Sequence, residues 1–170
     1  EYGFCDDSIV GLAIAGLSVF QFTDDIQLAS HMGKVSESLV EESPKKHVLR
    51  SRLCKELVTV LKMITEPFQS VFPLYHELYN SAMLSGDVEN AMICRGNHCS
   101  VSFWTGASDL SSVSKHLVVC IKEAAKYQHN FVLYNAMSNL NACSYLSGRT
   151  HVEVNVKSLD ELNSIAERTN

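Results

Sequence analysis

Cys94, His98 and Cys99 stand at i, i+4 and i+5. On a helix that spacing puts the first two on one face, where a thiolate and an imidazole could share a metal ion. A structural zinc site takes four such donors, usually from paired short-spaced motifs, and the other cysteines, Cys5, Cys54, Cys120 and Cys143, fall singly along the chain. Packing explains them better, because free cysteine behaves as a small hydrophobe, and we expect no metal and no cofactor. Nucleophilic catalysis is no better supported: His47, His98 and His116 could approach a thiol in space, but no local signature of a cysteine hydrolase surrounds any cysteine. The carboxylate pairs Asp24-Asp25, Glu41-Glu42 and Asp160-Glu161 sit at expected helix ends, where they match the helix dipole or a solvated terminus rather than general acid-base chemistry. Glycine-rich phosphate loops, GxGxxG runs and the strings His-Arg-Asp, Asp-Phe-Gly and Gly-x-Ser-x-Gly do not occur in the chain. We therefore expect no catalytic residues and no enzyme.

Aromatic residues offer a second kind of chemistry. Phe68, Phe72, Tyr75 and Tyr79 form a stripe at helical steps, joined further on by Phe103 and Trp104. Most of such a stripe is core, and the part that could line a groove for a partner helix, a peptide or a small molecule is Tyr75, Tyr79 and Trp104. His76, Asn80, Asn97 and Asn135 could hydrogen-bond a ligand there, although satisfied interior or rim residues are the commoner outcome.

The elements that must position these residues recur with a period of 42: Phe22, Ile64, Gly106 and Gly148 end apolar helical segments, and Ile26, Phe68 and Leu110 restart the pattern, with Val152 in the fourth place. A period near 40 reads as stacked helix pairs. The expected fold is all-α, a right-handed α-solenoid of about four antiparallel, tetratricopeptide-like helix pairs at about 8–42, 44–85, 87–127 and 129–149. Asp24 is expected to cap the second helix, and Ser43-Pro44 to open the third, which should run from 44 to 63. Pro73 should bend or delay the helix that follows Glu66-Pro67. Gly86-Asp87 is the sharpest boundary, glycine ending one helix and aspartate capping the next, and Gly106 with Asp109 repeats the device. Over 150–170 the pattern weakens: Val152, Val154 and Val156 alternate as in a strand, so the segment reads as extended or frayed, and Ser158-Leu159-Asp160-Glu161 is a capping box for a short helix over 158–168.

The 170 residues are 46% hydrophobic and carry a net charge of −5, enough to bury a core as one domain. Lys45-Lys46 and Arg50-Ser51-Arg52 are the main basic concentration, short of the basic stripe that nucleic acid requires. No stretch reaches the roughly 18 apolar residues of a membrane span, and the run over 9–22 is broken by Gly11, Gly16, Ser18 and Gln21 and preceded by Asp6 and Asp7 instead of basic residues. Reduced cysteines and the lack of a secretory pattern point to the cytoplasm, and a first residue of Glu1 suggests an excised piece.

Two segments, LYHELYNSAMLSGDVENA over 74–91 and NAMSNLN over 135–141, resemble the tetratricopeptide-like helical region of large multidomain predicted ATPases in signal transduction. The resemblance covers roughly 10–148. It implies upstream kinase-like and AAA-type nucleotide-binding modules and often a downstream histidine kinase, GAF or cyclase module, none of whose functional residues has a matching position here. Pro67, Pro73 and a spacing of 42 rather than about 34 depart from the tetratricopeptide consensus and imply a different pitch and groove. The expected function is a non-catalytic scaffold or sensor arm of a signalling ATPase or kinase, engaging protein partners or neighbouring domains, with neither nucleic acid nor membrane as partner. The alternatives are a small-molecule sensor using a concave aromatic face, or a parent kinase or ATPase whose catalytic domains lie outside this chain.

Overall fold

In a computed structural model the structure describes residues 5–53 and 61–148, and every regular element among them is helical: α1 (Asp6–Thr23), α2 (Ile26–Glu42), α3 (Lys46–Leu53), α4 (Met63–Thr65), α5 (Phe68–Ser85), α6 (Val88–Thr105), α7 (Leu110–Lys126) and α8 (Asn130–Leu146). The restarts at Ile26, Phe68 and Leu110 are the first residues of α2, α5 and α7. Residues 54–60 of the helix expected over 44–63, the valine segment after Gly148 and the helix over 158–168 lie outside the described residues.

Local chemistry explains the boundaries. At the first turn the cap is Asp25 rather than Asp24. Two residues must both stop α1 and start α2, so Asp24 adopts the left-handed conformation (φ 55°) with its N–H on the Phe20 carbonyl, and the Asp25 side chain accepts the Leu28 N–H at 2.9 Å. Ser43 Oγ accepts the Lys45 N–H at 3.1 Å, but Pro44 and Lys45 form a turn first and α3 begins at Lys46, two residues beyond the expected start. Pro73 lies inside α5 without delaying it: the helix begins at Phe68 and forgoes the one bond that residue 73 would have donated to the Gln69 carbonyl. Gly86, at φ 77°, donates to Ala82 and Met83, and the Asp87 N–H also returns to Ala82, at 2.9 Å. This is the left-handed stop that glycine adopts without Cβ strain.

The chain divides into two compact units, 1–94 and 95–170, the division falling within α6. In the first, α1 packs along α2 and α3 along α5. The α1–α2 approach is close because small residues face each other: Ala13, Gly16, Ala29 and Gly33 are buried, and a Cβ on Gly16 would stand 3.1 Å from the Ala29 carbonyl oxygen. Ile9, Val10, Val40, Leu49, Leu53 and Leu61 complete an aliphatic core. In the second unit α7 packs on α8 through Val113, Leu117, Ile121, Val132, Ala136 and Leu140, and the end of α6 closes on them.

Candidate functional site

Polar and thiol side chains concentrate in the second unit. They are placed by a short helix stretch, Arg95-Gly96-Asn97-His98-Cys99-Ser100. A Cβ on Gly96 would come within 2.9 Å of Val132 Cγ1, so glycine is what lets α6 lie this close to α8. The approach brings Ser100 onto the inner face of α8. Ser100 Oγ donates to Asn135 Oδ1 at 2.8 Å, and Asn139 Nδ2 donates to Ser100 Oγ at 2.9 Å and to Asn135 Oδ1 at 3.1 Å. Ser100 Oγ, Asn135 Oδ1 and Asn139 Nδ2 thus each gain partners, which is the condition for burying such atoms cheaply.

On its other side α6 faces α7. Arg95 Nε and Glu123 Oε2 form an ion pair at 3.0 Å, the His98 and His116 rings lie 6.1 Å apart between centroids, and the buried Cys99 and Cys120 thiols influence each other electrostatically. Residues later in α6 meet residues earlier in α7, as two antiparallel helices require. On α7 the spacing of 116, 120 and 123 is i, i+4, i+7, one stripe of a helix.

The thiols are electrostatically unlike. Cys99 is held well below the ordinary thiol range, chiefly through the Cys120 thiol and also through the His98 hydrogen bond and the charges of His98 and Arg95, which together outweigh burial. Cys120 is pushed up by the Cys99 thiol in turn, by burial and by the Cys99 charge. Burial also pushes the Cys143 thiol up, with a Ser114 hydrogen bond opposing it. Cys99 is 1% exposed and Cys120 0%, so a bulky substrate has no path to either sulfur. Among the described residues no three His, Cys, Asp or Glu side chains are grouped to hold a metal. One expectation is corrected: Cys94 is disulfide-bonded rather than reduced, a 0% exposed sulfur on α6 whose pairing was hidden among residues that also read as apolar packing. Cys54 lies outside the described residues, and Cys5, Cys99, Cys120 and Cys143 are free.

The residues expected to line a groove are distributed differently. Tyr75 is 1% exposed, its hydroxyl 3.4 Å from Met63 Sδ, and Tyr79 on the same helix is half-buried. Trp104, in the second unit, is 66% exposed. His76 and Asn80 are exposed, whereas Asn135 is engaged in the interior triangle. The sequence reading overlooked Phe131, Tyr134 and Tyr145, all exposed on α8. Their signal was available in the steps of 3 and 14 that keep them near one face of a helix. The first unit also carries a recess of about 380 Å³ lined by Ile26, Gln27, Ser30, His31, Lys34 and Thr65. No helix is long and apolar enough to cross a membrane among the described residues. Set beside known proteins, the chain matches no family model, no curated protein and no solved structure.

Proposed function

We propose that this chain is a non-catalytic helical-repeat scaffold or sensor arm of a multidomain signalling ATPase or kinase, its helix pairs stacked as a right-handed α-solenoid and its surface engaging protein partners or neighbouring domains in the cytoplasm. The observation that carries the reading is the recurrence of helix starts at Ile26, Phe68 and Leu110, which is how a repeat architecture presents successive, similar surfaces. The exposed aromatics Trp104, Phe131, Tyr134 and Tyr145 supply the side-chain type that dominates binding hot spots. A small-molecule-sensing role draws support from the recess beside α2, whose volume falls within the range of ligand sites.

The test is calorimetric titration of the purified chain with the polypeptide segments that flank it in its parent. Tyr134→Ala with Tyr145→Ala is expected to weaken binding by about tenfold or more while far-ultraviolet circular dichroism stays unchanged. Binding that ignores these substitutions, or ATP turnover that tracks the chain through repurification, overturns the scaffold reading.

A further inference from the structure

The recess in the first unit carries a positive charge that the protein itself leaves unanswered. We propose that it binds a small organic carboxylate, with the anionic end at Lys34 and Ser30 and the apolar body against Ile26. Binding of this kind rests on the sensing role drawn above from the same recess and is independent of what the aromatics of α8 engage.

One helix face makes most of the wall. Gln27, Ser30, His31 and Lys34 follow one another at i, i+3, i+4 and i+7, the spacing that aligns side chains along one stripe of a helix, and Thr65 of α4 stands across from them. None of these four α2 side chains makes a hydrogen bond or an ion pair among the described residues. Thr65 differs, because its hydroxyl donates to the Leu61 carbonyl at 2.9 Å, so it supplies wall and no free donor. The space of about 380 Å³ is therefore faced by an ammonium, a hydroxyl, a side-chain amide and an imidazole, all able to donate, and by no carboxylate among the described residues.

Polarity runs along the recess. Ile26 and Lys34 are eight residues apart, about 12 Å along a helix, which separates the apolar end from the cationic one. Ser30, Lys34 and Thr65 also line an adjoining cleft of about 10 Å³, room for about one water. In that cleft Lys62 is held by Glu37 at 2.7 Å, and Glu66 accepts the Ser70 hydroxyl at 3.2 Å. Lys34 is thus left without a counter-ion among the described residues, at the junction where the wider space ends. A single negative charge matches one lysine with neutral donors around it. The usual holders of phosphate are arginine forks and helix N-terminal amides. No arginine is among the described lining residues, and the start of α2 is already capped by the Asp25 carboxylate, which accepts the Leu28 N–H at 2.9 Å and repels a second anion. Ile26, 44% exposed, gives an apolar body a surface to cover.

The test titrates benzoate into the full, nitrogen-15-labelled chain at fixed ionic strength. Saturable amide shifts centred on 27–34 and Thr65 are expected, with a Kd on the order of 1 mM. Lys34→Gln should raise that Kd about tenfold by removing a charge-assisted contact, and Ser30→Ala about threefold. Lys46→Gln, at an exposed lysine of α3, should leave it unchanged. Benzamide, the uncharged counterpart, should bind about fivefold more weakly or less, and inorganic phosphate at equal concentration should not displace benzoate. Circular dichroism checks that each variant is folded. Benzamide binding as tightly as benzoate, with Lys34→Gln without effect, overturns the carboxylate assignment and leaves the recess a ligand site; displacement by phosphate overturns it as well. Shifts absent from 27–34 with both probes overturn the sensing role together with the carboxylate. Shifts spread over surface lysines and diminished by Lys46→Gln reduce the effect to unspecific charge and overturn the proposal.

Discussion

The two units of this molecule are built from opposite materials. The first, through α5, has an aliphatic interior of Ile9, Val10, Val40, Leu49, Leu53 and Leu61, and its charges stay outside as ion pairs, Lys45 to Asp6, Arg52 to Asp7 and Lys62 to Glu37. Buried Ser36 there bonds a carbonyl of its own helix, so it directs little between elements. The second unit buries Cys99, Cys120, Cys143, Ser100 and Asn139, and its helices meet through the Ser100–Asn135–Asn139 triangle and the Arg95–Glu123 pair. Apolar packing is non-directional and tolerates volume-conserving change. A buried polar network holds one arrangement and penalises every other, because each broken bond strands a group that has lost its water. The first unit is therefore stabilised by area, and the second is specified by geometry.

The largest expected effect tests the first half of that contrast. Leu49→Ala removes a side chain 1% exposed at the centre of the aliphatic cluster and should cost about 2 to 5 kcal/mol by denaturant titration. Hydrogen exchange should report lost protection mainly in α1, α2, α3 and α5. Protection lost equally in α7 and α8 would mean that the two units unfold as one block and would dissolve the contrast. Asn139→Ala tests the other half, with an expected loss of about 1 to 3 kcal/mol, since the Ser100 hydroxyl oxygen then lacks its donor. Combined with Ser100→Ala the losses should fall short of additive by about 0.5 kcal/mol or more. Strict additivity would show that the triangle is only filler.

Helix phase was legible because it depends on neighbours in sequence. Ile26, Phe68 and Leu110 begin helices where the pattern restarts, and Gly86 and Asp109 do what their types dictate. Two errors, Asp24 for Asp25 and a start at 44 instead of 46, fall at turns where adjacent residues compete for one role. The thiol cluster was only half legible. Cys99 and His98 stood out, but Cys120 and Glu123 join them through helix–helix register, which no local spacing encodes. Gly96, which permits that register, gave no turn or cap signal, and its meaning emerges only opposite Val132. Burial likewise cannot be read from an aromatic stripe alone: Tyr75 and Trp104 share a residue class and differ wholly in exposure.

The smallest effect concerns Asp87, where the first unit departs from its own rule. Its carboxylate caps α6 through the Asn90 N–H at 3.2 Å, accepts Asn90 Nδ2 at 2.8 Å, and accepts the Ser51 hydroxyl of α3 at 3.0 Å. Burial works against the charge, but the Asn90 and Ser51 hydrogen bonds and the nearby Arg52 outweigh it and hold the carboxyl below its ordinary value of 3.8. A carboxyl lowered on folding stabilises the folded state above its unfolded value and loses that contribution as pH falls through the folded one. Asp87→Asn keeps a competent cap and loses only charge assistance and the Arg52 attraction, so it should cost about 0.5 to 1 kcal/mol at neutral pH. Below about pH 3.8 the gap to the wild type should narrow, and it should vanish once Asp87 itself is protonated. A gap that persists through acid would place the loss in amide geometry instead of charge. A neutral-pH loss as large as that of Asn139→Ala would show directed bonds tying α3 to α6 as firmly as any in the second unit, leaving the two interiors different in degree only.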